Sequence, residues 1–293
     1  MNVAEVPSSR QVDRPQLPGG RALWIRQVLA LIRLELRKNL FGRYSLAVYF
    51  LALLPVGVLT FMLMIASMFE EDALFESVTQ GRMAFAMFFQ TFVLRAVIFF
   101  GCIGIFTNLF RGEVLDRSLH FYMLSPVRRQ VLTTGKFLAG LLLVSGLFAT
   151  SVGVSYLLVH VPFGTTMAIE HLFSTTGISQ LTSYLLVTVL ACLGYGSVFL
   201  IVGILFRNPI VPAAVVLGWE IINFLLPPML KKLSVIHYLK GLFPVTISEG
   251  PFAVVADPPP MIVSIFGLML FSAFALVIAN LVVRRMEIRY SDD

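Results

Sequence analysis

Charge is what this sequence has least of. Lys and Arg number 22 and Asp and Glu 16, together 13% of 293 residues, where a soluble domain carries about 25%. So few charges cannot cover a soluble fold of this size when 58% of the chain is hydrophobic. Tryptophan is nearly absent, two residues against 26 Phe, a balance that suits lipid-facing helices. Cysteine is as sparse: Cys102 and Cys192 both fall in apolar runs. They are too few and isolated for a disulfide framework or a metal site, and they read as small core residues. The histidines, His120, His160, His171 and His237, lack metal-ligand spacing, and no HExxH occurs. Gly135-Lys136 has Gln130 where a phosphate-binding loop needs Gly, and Phe137 where it needs Ser or Thr. Glu70-Glu71 sits in an acidic stretch without the Arg or His arrangement that an intramembrane glutamate protease needs. These absences argue against a soluble enzyme, a nucleotide hydrolase and a nucleic-acid-binding domain. No catalytic, cofactor-binding or metal-binding residue is expected in this chain. The first twenty residues lack the apolar core of a signal peptide.

What is present is apolar sequence in long blocks. Mean hydropathy is +0.88. A membrane-spanning helix needs about 20 mostly apolar residues, and six runs meet that: Leu46–Met68, Met83–Phe110, Phe137–Val161, Leu181–Phe206, Ile210–Leu230 and Met261–Val283. Arg207-Asn208-Pro209 separates the fourth from the fifth and reads as a tight turn. Gly218, Asn223 and Pro227-Pro228 predict a break at the outer end of the fifth.

Basic residues set the orientation. They crowd the segment before the first run and the loop Arg111–Lys136, and they close the chain at Arg284, Arg285 and Arg289. The first loop has only Arg82 against four acids, and Pro162–Gln180 has no Lys or Arg. Both termini are therefore expected in the cytoplasm. Lys231, Lys232 and Lys240, in an outer loop, run against the pattern and are outvoted. The expected fold class is an all-α polytopic membrane protein. It has a disordered tail at 1–21, an interfacial amphipathic helix at 22–44, a six-helix domain at 45–284, and a tail at 285–293.

Two segments are too charged to cross. Residues 22–44 place Arg26, Arg33 and Arg37 at i, i+7 and i+11, one helical face. This pattern predicts a helix lying in the cytoplasmic interface rather than a soluble one. The loop Arg111–Lys136 has a charged start, an apolar-aromatic middle of Leu119, Phe121, Tyr122, Met123 and Leu124, then Pro126, Arg128 and Arg129. An apolar middle of this kind calls for a covering partner; the other reading lays the segment on lipid.

That loop resembles the connection between the second and third helices of ABC-2 type permeases, the membrane subunits of ATP-binding cassette transporters. The likeness rests on Glu113 below the second span, the stretch Leu115–Leu124, and Pro126-Val127-Arg128-Arg129. The basic helix before the first span and the six-span layout extend it from about Ala22 onward. The resemblance implies a permease, more often an exporter, multi-pass in a bacterial-type plasma membrane. It implies a second permease copy or a related one, membrane lipid around it, and a separate ATPase, in two copies, that binds ATP and Mg. It makes Glu113, Leu119, Phe121, Tyr122, Leu124, Pro126, Arg128 and Arg129 the ATPase-docking loop. Two other classes stay open: a six-span secondary carrier, and a scaffold that passes ATPase motion to another protein. No three-helix repeat of the kind a carrier shows is visible.

Arg95 and Glu220 lie inside expected spans at matched depth, roughly 18 and 15 Å from opposite faces. An ionisable group there costs roughly 2.5–3.5 kcal/mol, so it needs a reason. A structural ion pair, a polar pathway or dimer-axis position, and snorkelling of Arg95 to headgroups are the readings.

Overall fold

The computed structural model describes residues 20–68, 77–115, 129–163, 169–170, 172–206, 208–245, 247 and 258–285. These residues are predominantly helical, with no strand among them. The tails at 1–19 and 286–293 lie outside them, as does most of the loop that carries the family likeness. In chain order come α1 (Gly20–Phe41), α2 (Arg43–Met68), α3 (Val78–Phe88), a π-helical segment (Phe89–Ile98), α4 (Phe99–Phe106) and α5 (Asn108–Leu115). Then follow α6 (Arg129–His160), α7 (Thr175–Leu205), α8 (Ile210–Ile221), the short α9 (Pro228–Lys231) and α10 (Val235–Lys240), and α11 (Met261–Arg285).

Five helical stretches are long and apolar enough to cross a membrane: Ser45–Met68, Val78–Gly112, Gln130–Phe163, Thr175–Leu205 and Met261–Arg285. The architecture is that of a multi-pass membrane protein. The run expected at Ile210–Leu230 differs. Its helix stops at Ile221 after 12 residues, about 18 Å, short of the roughly 30 Å hydrocarbon core. Gly218 weakens the last turn, a 3-10 turn follows at Ile222–Leu225, and Pro227-Pro228 cannot donate the backbone bonds a continuing helix needs.

α7 forms the middle of the bundle, 67% of its apolar window buried, against 17% for α2 and 22% for α11 on the flanks. Close approach to α7 depends on small residues, as is general where lipid supplies no hydrophobic drive between helices. A Cβ added at Gly203 would stand 2.6 Å from backbone atoms of Thr107, and one at Gly196 2.5 Å from the Phe106 ring. Between them Phe99 meets Tyr195 and Phe199 edge-on at 5.2 and 5.0 Å. Cys102 and Cys192 are buried in the same core.

α1 is anchored to the bundle rather than merely resting beside it. At ~100° per residue Glu35 falls opposite the Arg26–Arg33–Arg37 row, and it is buried. Its carboxylate pairs with the buried Lys136 of α6. The same ammonium donates to the Leu109 carbonyl at 3.2 Å and stands 5.6 Å over the Phe110 ring. The second carboxylate oxygen accepts from Asn39 at 3.4 Å. Gly135 lets Leu31 in, since a Cβ there would lie 2.6 Å from Leu31 Cδ2. The corner into α2 is closed by Ser45 and Tyr49 hydroxyls that both donate to the Leu40 carbonyl, at 3.2 and 2.9 Å.

Removing one partner of a buried pair strands a charge and costs about 3–5 kcal/mol, whereas removing both is close to neutral. Glu35→Leu and Lys136→Met should each lower the thermal stability of the purified protein and open α1 to proteolysis. The double variant should recover most of both losses.

Candidate functional site

The interruption after Ile221 lies among the other helices, not at their ends. Val235, which opens α10, packs on Gly194 of α7, where a Cβ would come within 2.8 Å. Gly194 is about 16 Å short of Leu205 along α7, so the break sits deep in the bundle. Non-helical backbone at such depth is tolerated only where protein or a watery cavity surrounds it.

The chain meets that demand with local turns. Leu226 N–H bonds Asn223 O at 3.2 Å, Leu230 and Lys231 N–H bond Pro227 O at 2.9 and 3.1 Å, and Ser234 N–H bonds Lys231 O at 3.0 Å. α10 is too short to cap itself, and its Ser234 makes no local cap. Glu220 takes over that task across 14 residues: its carboxylate accepts from Ser234 Oγ at 2.5 Å and from Val235 N–H at 3.0 Å. An anion at a helix N-terminus gains from both the free amides and the dipole. Asn223, one turn beyond Glu220, accepts from Lys240 Nζ at 3.5 Å. Its Nδ2 is buried without a hydrogen-bond partner among the described residues, as is the Tyr195 hydroxyl.

Opposite stands the π-helical segment. Gln90 Nε2 donates to Val245 O at 2.9 Å and Phe89 meets Phe243 edge-on at 6.5 Å, so this segment holds the chain that leaves α10. π-helical turns leave the i→i−4 ladder and recur at functional sites. Arg95 lies in this one. It is half-buried and within electrostatic reach of both Tyr195 and Glu220.

Arg95 and Glu220 are thus within electrostatic reach, but no ion pair or hydrogen bond joins them within the chain. Glu220 is occupied by α10. Of the expected docking loop, Glu113 lies in α5 and Arg129 opens α6, while Leu119, Phe121, Tyr122, Leu124, Pro126 and Arg128 fall outside the described residues. Sequence reasoning missed Ser234, Asn223 and Tyr195 as partners in this cluster. Ser234 before an apolar pair was a visible cap signal, but its acceptor was not visible. It also missed Glu35, whose signal was its place as the sole acid in α1, opposite the arginines.

No protein-family model matches the chain, and no curated protein matches it at a significant level.

Because hydrogen bonds to a charged acceptor contribute about 1.5–3 kcal/mol each, Glu220→Ala should destabilise more than Arg95→Ala. Hydrogen–deuterium exchange should show the reason: amides of Val235–Lys240 exchange faster in Glu220→Ala and stay near wild type in Arg95→Ala.

Proposed function

We propose that this chain is the permease subunit of an ABC-2 type transporter, working as a dimer and driven by a separate ATPase. Export is the direction the family resemblance favours. What carries the reading is the way both ends of the loop 116–128 are tied together. α5 leads into the loop and α6 leads out of it, and Lys136 of α6 holds both the Leu109 carbonyl and Glu35 of α1. A displacement delivered to the loop by a partner therefore moves the second-span helices, α6 and α1 as one block. The loop residues Leu119, Phe121, Tyr122, Leu124, Pro126 and Arg128, with Glu113 and Arg129 flanking them, supply the apolar and charged contacts for that partner, which binds ATP and Mg.

The same proposal takes α8 and α10 together as one broken sixth crossing, which leaves both termini in the cytoplasm, in keeping with the basic segments around α1 and after α11. Substrate passes beside the broken crossing, where Arg95, Tyr195 and Asn223 supply polar contacts between otherwise apolar helices.

Co-purification with a candidate ATPase tests the docking role. Phe121→Asp with Leu124→Asp should abolish the complex while the permease stays folded; an intact, coupled complex refutes it. Accessible cysteines test the crossing number. Those at Ser77, Ser174 and Ser248 should label from outside, and those at the exposed Gln130 and at Ser291 should not.

A further inference from the structure

The outward face of α1 is unused by the bundle. Glu35, Val28 and Leu31 face inward, and Arg26, Arg33 and Arg37 project to the opposite side, all exposed. None of the three arginines makes a hydrogen bond or ion pair among the described residues. Apolar side chains flank the row instead. One open furrow is lined by Arg26, Leu29, Arg33, Leu36, Arg37 and Leu40. A second runs along the other side of Arg33 and Arg37, past Ala30, Leu34 and Lys38. Leu29 and Leu34 are exposed at 59% and 50%.

Cations set between two apolar furrows match the chemistry of a phospholipid: a phosphate for the guanidiniums and acyl chain for the leucines. The place fits as well. Gly42 alone separates α1 from α2, and Arg37 stands about 12 Å of helix before Ser45, where the first span begins. The buried Glu35–Lys136 pair and the Ser45–Tyr49 corner fix which face turns outward, so the row is preformed.

We propose that the Arg26–Arg33–Arg37 face of α1 is a binding site for anionic phospholipid, selective for headgroup charge. It stands apart from the transport reading, since it needs no ATPase and no substrate. Each basic residue near an anionic surface adds roughly a fivefold factor, so the three together are worth on the order of 100-fold in apparent affinity. Bidentate guanidinium–phosphate contact adds geometry to that charge.

The test uses the full chain purified in a neutral detergent. Phosphatidylglycerol, phosphatidylcholine of the same acyl chains, and glycerol phosphate are titrated while thermal stability is followed. Phosphatidylglycerol should raise the unfolding temperature, and the other two should not. R26Q/R33Q/R37Q should weaken the phosphatidylglycerol response on the order of 100-fold. Equal responses to the two lipids, or an undiminished response in the triple variant, overturn the proposal. A response to glycerol phosphate alone overturns the lipid source in favour of a free phosphate. Should the triple variant misfold, native mass spectrometry of the wild-type chain from an equimolar mixture decides. Several-fold enrichment of phosphatidylglycerol, reduced in R33Q, supports the site. No enrichment refutes it and leaves an acidic protein surface as the occupant of this face.

Discussion

A carboxylate and an ammonium sealed from water hold one end of this molecule's bundle together. Glu35 and Lys136 are 101 residues apart, and their pairing makes a helix outside the bundle part of it. A buried pair is tolerable only when the remaining lone pairs and protons are used. Here Asn39, the Leu109 carbonyl and the face of Phe110 use them. Three elements converge on that point, so α1, the end of the second-span helices and the start of α6 share one fixed geometry. The basic row on α1, the end of α5 and the start of α6 all take their positions from it.

The second constraint lies deeper and is solved the opposite way. Where the chain breaks after Ile221, a lone carboxylate caps a short helix, and no strong cation is bound to it among the described residues. Glu220 there replaces the hydrogen bonds that proline and the shortness of α10 take away. Two donors nearby, on Tyr195 and Asn223, are left without partners among the described residues. A fully satisfied polar network rigidifies, whereas a partly satisfied one is costly at rest, so these two groups carry an unmet hydrogen-bonding demand in the core.

The span-length helices were legible because their signal is local: twenty apolar residues in a row state their own environment. Their ends were less so. α6 and α7 run past the apolar runs by several residues because polar turns at Arg129–Thr134 and Thr175–Gln180 continue a helix once it is packed. The interruption after Ile221 was half legible, since Gly218, Asn223 and Pro227-Pro228 announce a break but not where the chain returns. The Glu35–Lys136 pair was not legible. A glutamate in a helix with several arginines reads as a solvated charge until the fold shows which face is covered. Arg95 and Glu220 come within electrostatic reach of each other without touching. Contact did not follow, because α10's free amides are closer partners for the acid.

The backbone contact between Gly203 and Thr107 has a mechanical consequence. Two helices touching with no side chain between them cannot roll against each other without collision, so relative motion there reduces to tilting. The contact lies near the C-terminal end of both. From Thr107 to Leu115 the short arm is about 12 Å, and from Thr107 back to Val78 the long arm is about 40 Å. The pair is a lever with its fulcrum set low, and a shift of 1 Å at the short end would swing the far end by roughly 3 Å.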